Sequence, residues 1–578
     1  WVDSVYNSMT LEQRIGQLFM VAAYTSPEQS NKQQVADLIT NYGIGGIIFM
    51  RGSPTNQVLY TNYFQSLSKV PLMVAIDGEW GLAMRLDSTT SFPRQLMLGA
   101  ITDNKLIYEM GYEIGRQCKR MGIHVNFAPV VDINNNPNNP VINSRSFGEL
   151  KHNVAVKGDY YMTGMQDQGI LTTAKHFPGH GDTDADSHKS LPIIPHRKAR
   201  LDSVELYPFK YLIQRNLTGV MVAHLYIPEI DRTKNQASTL SPKIVQDILK
   251  NQLGFNGLIF TDALNMHGVS KYYKPGILEI KALLAGNDVL LFPENVPIAV
   301  EAIKTAIKTG KLNEKIIEQR CKKILAAKSW AGIRDSVDSI PTQNLYTDLN
   351  TPHAELLVKK LVRASITVAK DANKQLPIQH LDTQKIAYVS LQQQSLDTFL
   401  FAAKQYAPIS SYVVAHNSEY STQLNSVISQ LQGATTVIVN VVGNSQFSTK
   451  KYGITPAMVD IVSKIAKQCN VILVLHANPY ALDYFTQAIP DIQSVVVAYD
   501  YSKMVQFETP QVIFGALPAQ GLLPVGVGGI PAGKGYLYRS IERLRYSTPF
   551  EAGFNEQKLQ SIDSIVYAAI SDKATPGC

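Results

Sequence analysis

Residues 18–50, LFMVAAYTSPEQSNKQQVADLITNYGIGGIIFM, contain two continuous apolar runs, LFMVAA and GGIIFM, separated by a more polar stretch. Continuous apolar runs of this length are typical of parallel β-strands that are buried on both faces. Six more runs follow, with amphipathic helical stretches between them: PLMVAID, VNFAPVVD, LTTAKHF, GVMVAHL, GLIFTDAL and DVLLFP. The eight runs end near residues 23, 50, 77, 132, 176, 225, 262 and 292.

This alternation occupies the chain from Gly16 to Trp330 and predicts an α/β fold. Eight strand and helix pairs over this length fit a (β/α)8 barrel of the TIM type with some long loops. An open, doubly wound sheet is the alternative that the pattern leaves.

Six polar residues stand where five of these apolar runs close. In a barrel, the carboxyl ends of all the strands face one mouth, where the active sites of this fold lie. Strand ends are often polar for other reasons, but lysine and histidine at buried-type positions are harder to explain in that way. We therefore expect these side chains to converge: Asp77, Asp132, Lys175, His176, His224 and Asp262.

A second alternation follows in KIAYVSL, ISSYVVA, TTVIVNVVG, NVILVLHANPY and SVVVAYD. We predict a barrel at residues 1–340, a linker at 341–353 and an open α/β sheet flanked by helices at 354–540. The segment GNSQFSTK, residues 443–450, superficially resembles a phosphate-binding loop, but it lacks the second glycine and the Gly-Lys-Ser/Thr ending. The tail, 541–578, carries apolar residues at helical spacing but no core of its own, so it either docks on the second domain or begins a further one.

The overall composition excludes several classes of protein. Of the 578 residues 45% are hydrophobic and 17% charged, which is typical of a well-cored globular protein. The net charge of +7 is spread along the chain without a basic stripe, so nucleic acid is not an expected partner. Four distant cysteines form neither a disulfide framework nor a zinc-binding pattern. No apolar run approaches the roughly 20 residues that cross a bilayer, so no transmembrane segment is expected.

The richest polar segment is KHFPGHGDTDADSHKSLP, residues 175–192. A metal site is one hypothesis, but Phe-Pro-Gly separates His176 from His180 and breaks the helix that would align them. The DTDADS run resembles the start of an EF-hand loop, yet Ser187 and Ile193 replace its glycine and its glutamate. We therefore predict no metal ligand there.

An acid/base function explains this segment better than a metal site. Asp186 and His188 are two residues apart, and in extended backbone such side chains project to the same side. A carboxylate beside an imidazole fixes its tautomer and raises its pKa, which leaves the other nitrogen to face a substrate. A polar turn remains the interpretation for Asp182, Asp184 and His180.

The motif KHFPGHGDTDADSH matches the pattern Lys-His-x-Pro-Gly-His-Gly-x4-Asp-Ser-His at every fixed position. With it, the chain resembles glycoside hydrolase family 3, in particular its bacterial β-N-acetylglucosaminidase branch. The resemblance covers most of residues 1–540 and implies a (β/α)8 barrel followed by an α/β sandwich. It implies that His188 is the general acid/base, paired with Asp186. It also implies that Asp262, in TDALNM, is the nucleophile.

The resemblance assigns sugar contacts as well. The segment AIDGEWGLAMR is similar to a family segment that binds sugar hydroxyls, although Trp80 stands where the family has glycine. The tail is similar to the first helix of a serine β-lactamase-like domain but lacks the Ser-x-x-Lys motif of such domains. The expected sugar-binding residues are Asp77, Arg85, Arg145, Lys175, His176 and His224.

The implied activity is retaining hydrolysis of terminal β-linked N-acetylglucosamine, with peptidoglycan fragments as the implied substrates. No cofactor is implied. A family 3 β-glucosidase, an N-acetylglucosaminide phosphorylase and a catalytically silent sugar-binding protein are the alternatives. The resemblance implies a periplasmic or secreted protein, and the non-methionine start at Trp1 leaves an anchoring segment before it open.

Overall fold

The computed structural model describes residues 1–186, 190–334, 338–391, 397–415 and 420–577. Eight parallel strands form the first sheet, in the spatial order β7-β6-β5-β4-β3-β2-β1-β8. A parallel bridge between Phe260 and Val289 joins β7 to the start of β8 and closes the sheet into a barrel. The strands are β1 (Phe19–Ala23), β2 (Gly46–Phe49), β3 (Met73–Ile76), β4 (Val125–Asn126), β5 (Leu171–Phe177), β6 (Gly219–Val222), β7 (Leu258–Thr261) and β8 (Leu290–Leu291).

Thirteen α-helices and one π-helix, Lys243–Gln252, accompany the described part of the barrel. Their starts follow common capping rules: Thr10 and Gln13 form a capping box at α2, and Ser53 caps α4, which begins with proline. The α-helices are α1 (Val2–Ser8), α2 (Leu11–Gly16), α3 (Lys32–Tyr42), α4 (Pro54–Leu67), α5 (Gln95–Leu98), α6 (Lys105–Arg120), α7 (Lys151–Gln166), α8 (Lys198–Ser203), α9 (Tyr207–Ile213), α10 (His267–Ser270), α11 (Ile277–Ala285), α12 (Val296–Lys308) and α13 (Glu314–Trp330).

The predicted barrel is confirmed, but one strand is much shorter than its apolar run. The run VNFAPVVD continues to Asp132, whereas β4 ends at Asn126. Pro129 has no N–H to offer a ladder, so regular pairing stops before it. Pairing resumes where Val130 bridges Lys175, and the Val131 N–H donates to the Lys175 carbonyl at 2.8 Å. Asp132 therefore still reaches the end of β5.

The second domain is a six-stranded sheet in the order β11-β10-β12-β13-β14-β9, parallel except for β9, which pairs antiparallel with β14. Its strands are β9 (Thr367–Asp371), β10 (Ile386–Ser390), β11 (Ile409–Val413), β12 (Thr436–Val442), β13 (Val471–His476) and β14 (Ser494–Val497). Its helices and the one before them are α14 (Leu345–Leu349), α15 (Pro352–Ser365), α16 (Thr398–Lys404), α17 (Tyr420–Gln430), α18 (Pro456–Ala466) and α19 (Lys503–Ile513).

The segment predicted as a linker lies against the barrel. The guanidinium of Arg120 donates to the carbonyls of Pro341 and Gln343, each at 2.9 Å. It also bonds the carboxylate of Asp348, on α14, at 2.8 Å. The path between the two domains is therefore held by side chains over much of its length.

The asparagine-rich loop of the barrel, NNNPNNP, is bonded to the second domain. Asn134 Nδ2 donates to the Tyr480 hydroxyl at 2.8 Å. Asn143, which is buried, donates to the Tyr452 hydroxyl at 2.9 Å and accepts from Asn478 Nδ2 at 2.7 Å. The loop that leads to Arg145 is therefore fixed by side chains from the other domain.

The tail forms the predicted helix, α20 (Glu556–Ser571), and none of its residues is buried. Upstream of the helix, Glu551 is tied to the second domain by Arg363 and lies 3.2 Å from the Lys359 ammonium. Across the described ranges, the chain has no helix that combines the length and hydropathy needed to span a membrane.

We predict that Asn143→Ala lowers the free energy of unfolding by about 2 to 4 kcal/mol. The substitution removes the acceptor of the buried Asn478 amide, at about 1–3 kcal/mol, and one of the two bonds of the Tyr452 hydroxyl, which keeps the Pro137 carbonyl. Asn143 also has a φ of +37°, which asparagine tolerates better than alanine. Urea denaturation followed by circular dichroism measures the change.

The control is Asn138→Ala in the same loop. Asn138 is exposed and reaches the second domain through its carbonyl, which accepts from Ser448. This variant should unfold within about 0.5 kcal/mol of the original chain. Equal losses in both variants would mean that the side-chain bonds of Asn143 do not hold the interface.

Candidate active site

A cavity of about 430 Å³ opens at the carboxyl ends of the barrel strands. Its lining includes the apolar residues Met221, Leu291 and Phe292. Six of the predicted site residues lie together in this cavity: Asp77, Arg85, Arg145, Lys175, His176 and Asp262. Parallel strands explain the convergence, because each of these residues follows or ends a strand at the same edge.

The centre of the cavity wall is an ion network around the ammonium of Lys175. Its Nζ lies 2.9 Å from Asp77 Oδ1 and 2.9 Å from Glu79 Oε1. Asp77 Oδ2 accepts from Arg85 at 2.5 Å, and Glu79 accepts two bonds from Arg145, at 2.7 and 2.9 Å. Each carboxylate therefore bridges two cations in a nearly water-free setting.

The network keeps both carboxylates ionised. Burial alone would raise the pKa of Asp77, but Lys175 and Arg85 outweigh it and lower the pKa to about 2. Burial likewise opposes ionisation of Glu79, while Arg145 and Lys175 hold its pKa well below the usual range. Fixed charges of this kind can bind sugar hydroxyls without rearranging, which is the usual advantage of a preorganised site.

His176 is oriented by Asp132. The ring Nδ1 lies 2.7 Å from Asp132 Oδ2, and the same carboxylate accepts from the backbone N–H groups of His176 and His180. Nδ1 is thus the protonated nitrogen, which leaves Nε2 to accept from Arg145 at 3.2 Å. Asp132, one of the strand-end residues expected to converge, therefore contacts the cavity through His176.

Asp262 follows β7 directly. Its backbone N–H donates to Val222 at 2.9 Å, and its Oδ1 accepts from the N–H of Ala263 at 2.8 Å. His224 is fully buried behind this turn, with Nε2 3.0 Å from the Ala263 carbonyl and Nδ1 2.7 Å from the Thr239 hydroxyl. The structure therefore places His224 as a support for the Asp262 turn and not on the cavity wall.

The loop after β5 folds back over the mouth. His180 is buried, and burial lowers its pKa to about 4, so it is neutral at physiological pH. Its Nδ1 lies 2.8 Å from the Thr183 hydroxyl, and its carbonyl accepts from Asn139. His180 thus holds the loop and also lines the cavity.

Further along this loop Asp182 contacts His196 Nε2 at 2.7 Å, and Glu205 lies beside them. These residue types could hold a divalent cation, since their ligand atoms lie within 4.8 Å of one another. Arg200, however, bonds Glu205 at 3.0 Å and lies 3.9 Å from Asp182, so a positive charge already occupies this place.

The predicted acid/base pair is only partly within the described ranges. Asp186 is partly exposed, and its carbonyl accepts from the N–H of Ser190 at 3.0 Å. His188 lies outside the described residues. Its role and its pairing with Asp186 stay predictions from the sequence.

Sequence reasoning did not assign Glu79, which is completely buried and binds both Arg145 and Lys175. A signal was available. Glu79 stands two residues after Asp77 in AIDGEWG, and a second acid so close to a strand end is expected to require a cationic partner.

Comparison with known proteins places the barrel in a family. Residues 10–327 match the family model described as the glycosyl hydrolase family 3 N terminal domain. The β-hexosaminidase A of Pseudoalteromonas piscicida is 33% identical over 370 residues, which are 58% of this chain and 61% of that protein. The β-hexosaminidase of Nitrosomonas eutropha is 32% identical over 304 residues, 51% of this chain and 85% of that protein.

A solved structure extends the likeness to both domains. The family 3 β-N-acetylglucosaminidase from Paenibacillus sp. str. FPU-7 superposes with a TM-score of 0.72 at 28% identity. The superposition covers 89% of this chain and 99% of that one. The predicted order of a barrel followed by an α/β sandwich is therefore that of a solved relative.

We predict that Glu79→Gln destabilises the fold by about 3 kcal/mol, because it leaves the buried cations of Arg145 and Lys175 with one carboxylate fewer. The shape of the side chain is kept, so the effect reports the charge. Urea denaturation at neutral pH measures it.

Glu109→Gln is the control, since its carboxylate lies on the surface, 3.8 Å from Lys105. That variant should change stability by less than about 0.5 kcal/mol. If Glu79→Gln changed the free energy of unfolding by equally little, the ion network would not be what stabilises the mouth of the barrel.

Proposed function

The chain belongs to glycosyl hydrolase family 3, and from this premise we propose that it is a retaining exo-β-N-acetylglucosaminidase. It removes terminal β-linked N-acetylglucosamine, with peptidoglycan fragments as its substrates. The observation that carries the proposal is the position of Asp262, a carboxylate at the end of β7 that lines one cavity with the Asp77, Lys175 and Arg145 network. The β-hexosaminidase names of the relatives support the choice of sugar.

The proposed reaction has two displacements at the anomeric carbon. In the first, Asp262 forms a bond to that carbon while the bond to the leaving oxygen breaks, and His188 gives that oxygen a proton. In the second, His188 takes a proton from water, whose oxygen displaces Asp262. Two inversions retain the configuration and return both side chains to their initial state.

The charges of the mouth favour a neutral group in the acid/base role. The carboxylates of Asp77 and Glu79 are paired with cations, and Asp262, the proposed nucleophile, is the carboxylate beside which the acid/base group would act. A histidine that has given up its proton adds no further negative charge beside Asp262, whereas a glutamate would. The loop after β5 brings Asp186, the proposed partner of His188, to this side of the barrel.

Two other activities are weighed against this one. A family 3 β-glucosidase is disfavoured by Ala263, because such relatives usually carry tryptophan after the nucleophile. A phosphorylase is consistent with a histidine acid/base, since histidine does not repel phosphate. A silent sugar-binding protein would not need both Asp262 and the complete Asp-Ser-His motif.

A periplasmic or secreted location and a β-lactamase-like start in the tail remain proposals from resemblance.

We predict that Asp262→Asn lowers kcat on nitrophenyl N-acetylglucosaminide by about 10⁴-fold or more, because the amide cannot form the glycosyl-enzyme. The asparagine Oδ1 can still accept from Ala263, so the melting temperature should hardly change. In the original chain, a fluorinated N-acetylglucosaminide that is hydrolysed slowly should form a covalent adduct with Asp262. Peptide mass spectrometry detects the labelled peptide. Labelling of another residue would refute the assignment.

We predict that His188→Ala loses about 10²- to 10⁴-fold on substrates with poor leaving groups. Turnover of dinitrophenyl glycosides, whose leaving group needs no proton, should fall much less in the glycosylation step. Burst kinetics separates the glycosylation step from the deglycosylation step. Added azide tests the second step, because it can replace water as the nucleophile without needing a base. Full activity of the variant on alkyl glycosides would show that another residue is the acid.

A further inference from the structure

Three fully buried polar residues lie behind the turn that carries Asp262: His224, Thr239 and Asn287. None of the three lines the cavity of about 430 Å³. His224 follows β6, and Thr239 belongs to the 3-10 helix Ser238–Leu240. Asn287 stands between α11 and β8. A buried polar group costs free energy unless it is hydrogen-bonded, so the bonds of these residues show what they hold in place.

The backbone on either side of Asp262 is fixed by neighbouring strands. The Asp262 N–H donates to the Val222 carbonyl, at the end of β6, at 2.9 Å. The Leu264 N–H donates to the Leu291 carbonyl, at the end of β8, at 3.0 Å. Between these two bonds, the Ala263 N–H donates to Asp262 Oδ1 at 2.8 Å. The orientation of the Asp262 carboxylate therefore depends on the orientation of the Ala263 backbone.

His224 fixes the other polar group of the Ala263 backbone. Its Nε2 lies 3.0 Å from the Ala263 carbonyl, which can only accept, so Nε2 carries a hydrogen and donates it. The peptide group between residues 263 and 264 is thus held at both ends, by His224 at its carbonyl and by Leu291 at its N–H. A rotation of this backbone would move the Ala263 N–H away from Asp262 Oδ1.

Thr239 and Asn287 orient His224 in turn. The His224 Nδ1 lies 2.7 Å from the Thr239 hydroxyl, and the same hydroxyl lies 2.6 Å from the Ala223 carbonyl. Asn287 Nδ2 donates to the Thr239 carbonyl at 2.8 Å and to the Ala282 carbonyl of α11 at 2.7 Å. An unbroken series of contacts therefore runs from α11 to the residue that follows Asp262.

We propose that His224, Thr239 and Asn287 are positioning residues that set the direction from which Asp262 approaches the anomeric carbon. The inference rests on the proposed function and adds to it three residues that act through the Ala263 backbone. A nucleophile must be aligned with the bond that breaks, and a displacement of about 1 Å can cost about 10²-fold in rate. The three residues therefore affect the chemical step and not the binding of the sugar.

The kinetics distinguish this role of His224 from the sugar contact that the resemblance implies. Loss of a sugar contact weakens the binding of the substrate and raises KM. Loss of a positioning residue lowers kcat and leaves the affinity for the sugar unchanged. Competitive inhibition by free N-acetylglucosamine measures this affinity without any reaction.

His224→Phe keeps a flat ring but removes both ring nitrogens. It should lower kcat on nitrophenyl N-acetylglucosaminide by about 10²-fold, with the inhibition constant of N-acetylglucosamine within about twofold. His224→Gln, whose amide can donate to the Ala263 carbonyl, should recover about tenfold of that loss. Thr239→Val, which removes the partner of Nδ1, should lower kcat by about three- to tenfold.

Thr218→Val is the matched control for Thr239→Val. Thr218 precedes β6 at the amino end of the strand, and its hydroxyl accepts from the Thr172 N–H at 2.8 Å. The control loses a bond of the same kind, so its melting temperature should fall about as far as that of Thr239→Val while its kcat stays unchanged. Equal losses of kcat in the two variants would show a general effect of stability and overturn the proposal.

Two results with His224→Phe would also overturn it. One is an unchanged kcat in the folded variant. The other is an inhibition constant that rises in proportion to the loss of kcat/KM, which would identify a sugar contact. Thr239→Val gives the same test at a smaller amplitude if His224→Phe does not fold. If the original chain cleaves no N-acetylglucosaminide, the failure lies with the proposed function.

Discussion

The arrangement of side chains at the mouth of the barrel depends on the ion pairs of the Lys175 ammonium. Removing a charge from water costs several kcal/mol, and the cost is met only where opposite charges are close. Asp77 and Glu79, both at 2.9 Å, provide them. These acids follow β3, and Lys175 belongs to β5, so the network joins two strands separated by β4, which has only two residues. The ion pairs therefore link β3 and β5 across a strand that forms only two residue pairs with each of them.

The same network sets the chemistry of the cavity. Three of the cavity's cations pair with two of its carboxylates and leave a net charge of +1, so the wall offers charged groups that are already oriented. Asp262 stands outside the network, with its turn supported by His224. Asp262, the proposed nucleophile, follows β7, whereas the ion network is built after β3 and on β5, so different strands supply the two.

The sequence predicted most about the barrel domain, where the periodicity of apolar runs gives the strands and polar residues mark their ends. Eight buried runs predicted the barrel, and the polar residues at their ends predicted four residues of the cavity wall, Asp77, Lys175, His176 and Asp262, because parallel strands end at one edge. Glu79 was not assigned, since its meaning depends on Arg145, 66 residues away. The sugar contact of His224 comes from the resemblance and stays a prediction; in the structure its ring bonds the Ala263 carbonyl and the Thr239 hydroxyl. Strand β9, TVAKD, escaped notice because its pattern is short and half polar. The position of the Arg94 guanidinium over the Trp80 ring is likewise a tertiary contact that no local pattern predicts.

The asparagine loop has a consequence for the order in which the protein is made. Its contacts reach Tyr452, Asn478 and Tyr480, which lie 309, 335 and 346 residues further along the chain. A ribosome delivers the N-terminal part first, and domains generally fold as they emerge. The barrel strands are complete well before these partners exist, so the rim beside Arg145 must wait for them. During synthesis the barrel strands are therefore complete early, and the rim of the cavity beside Arg145 is completed late.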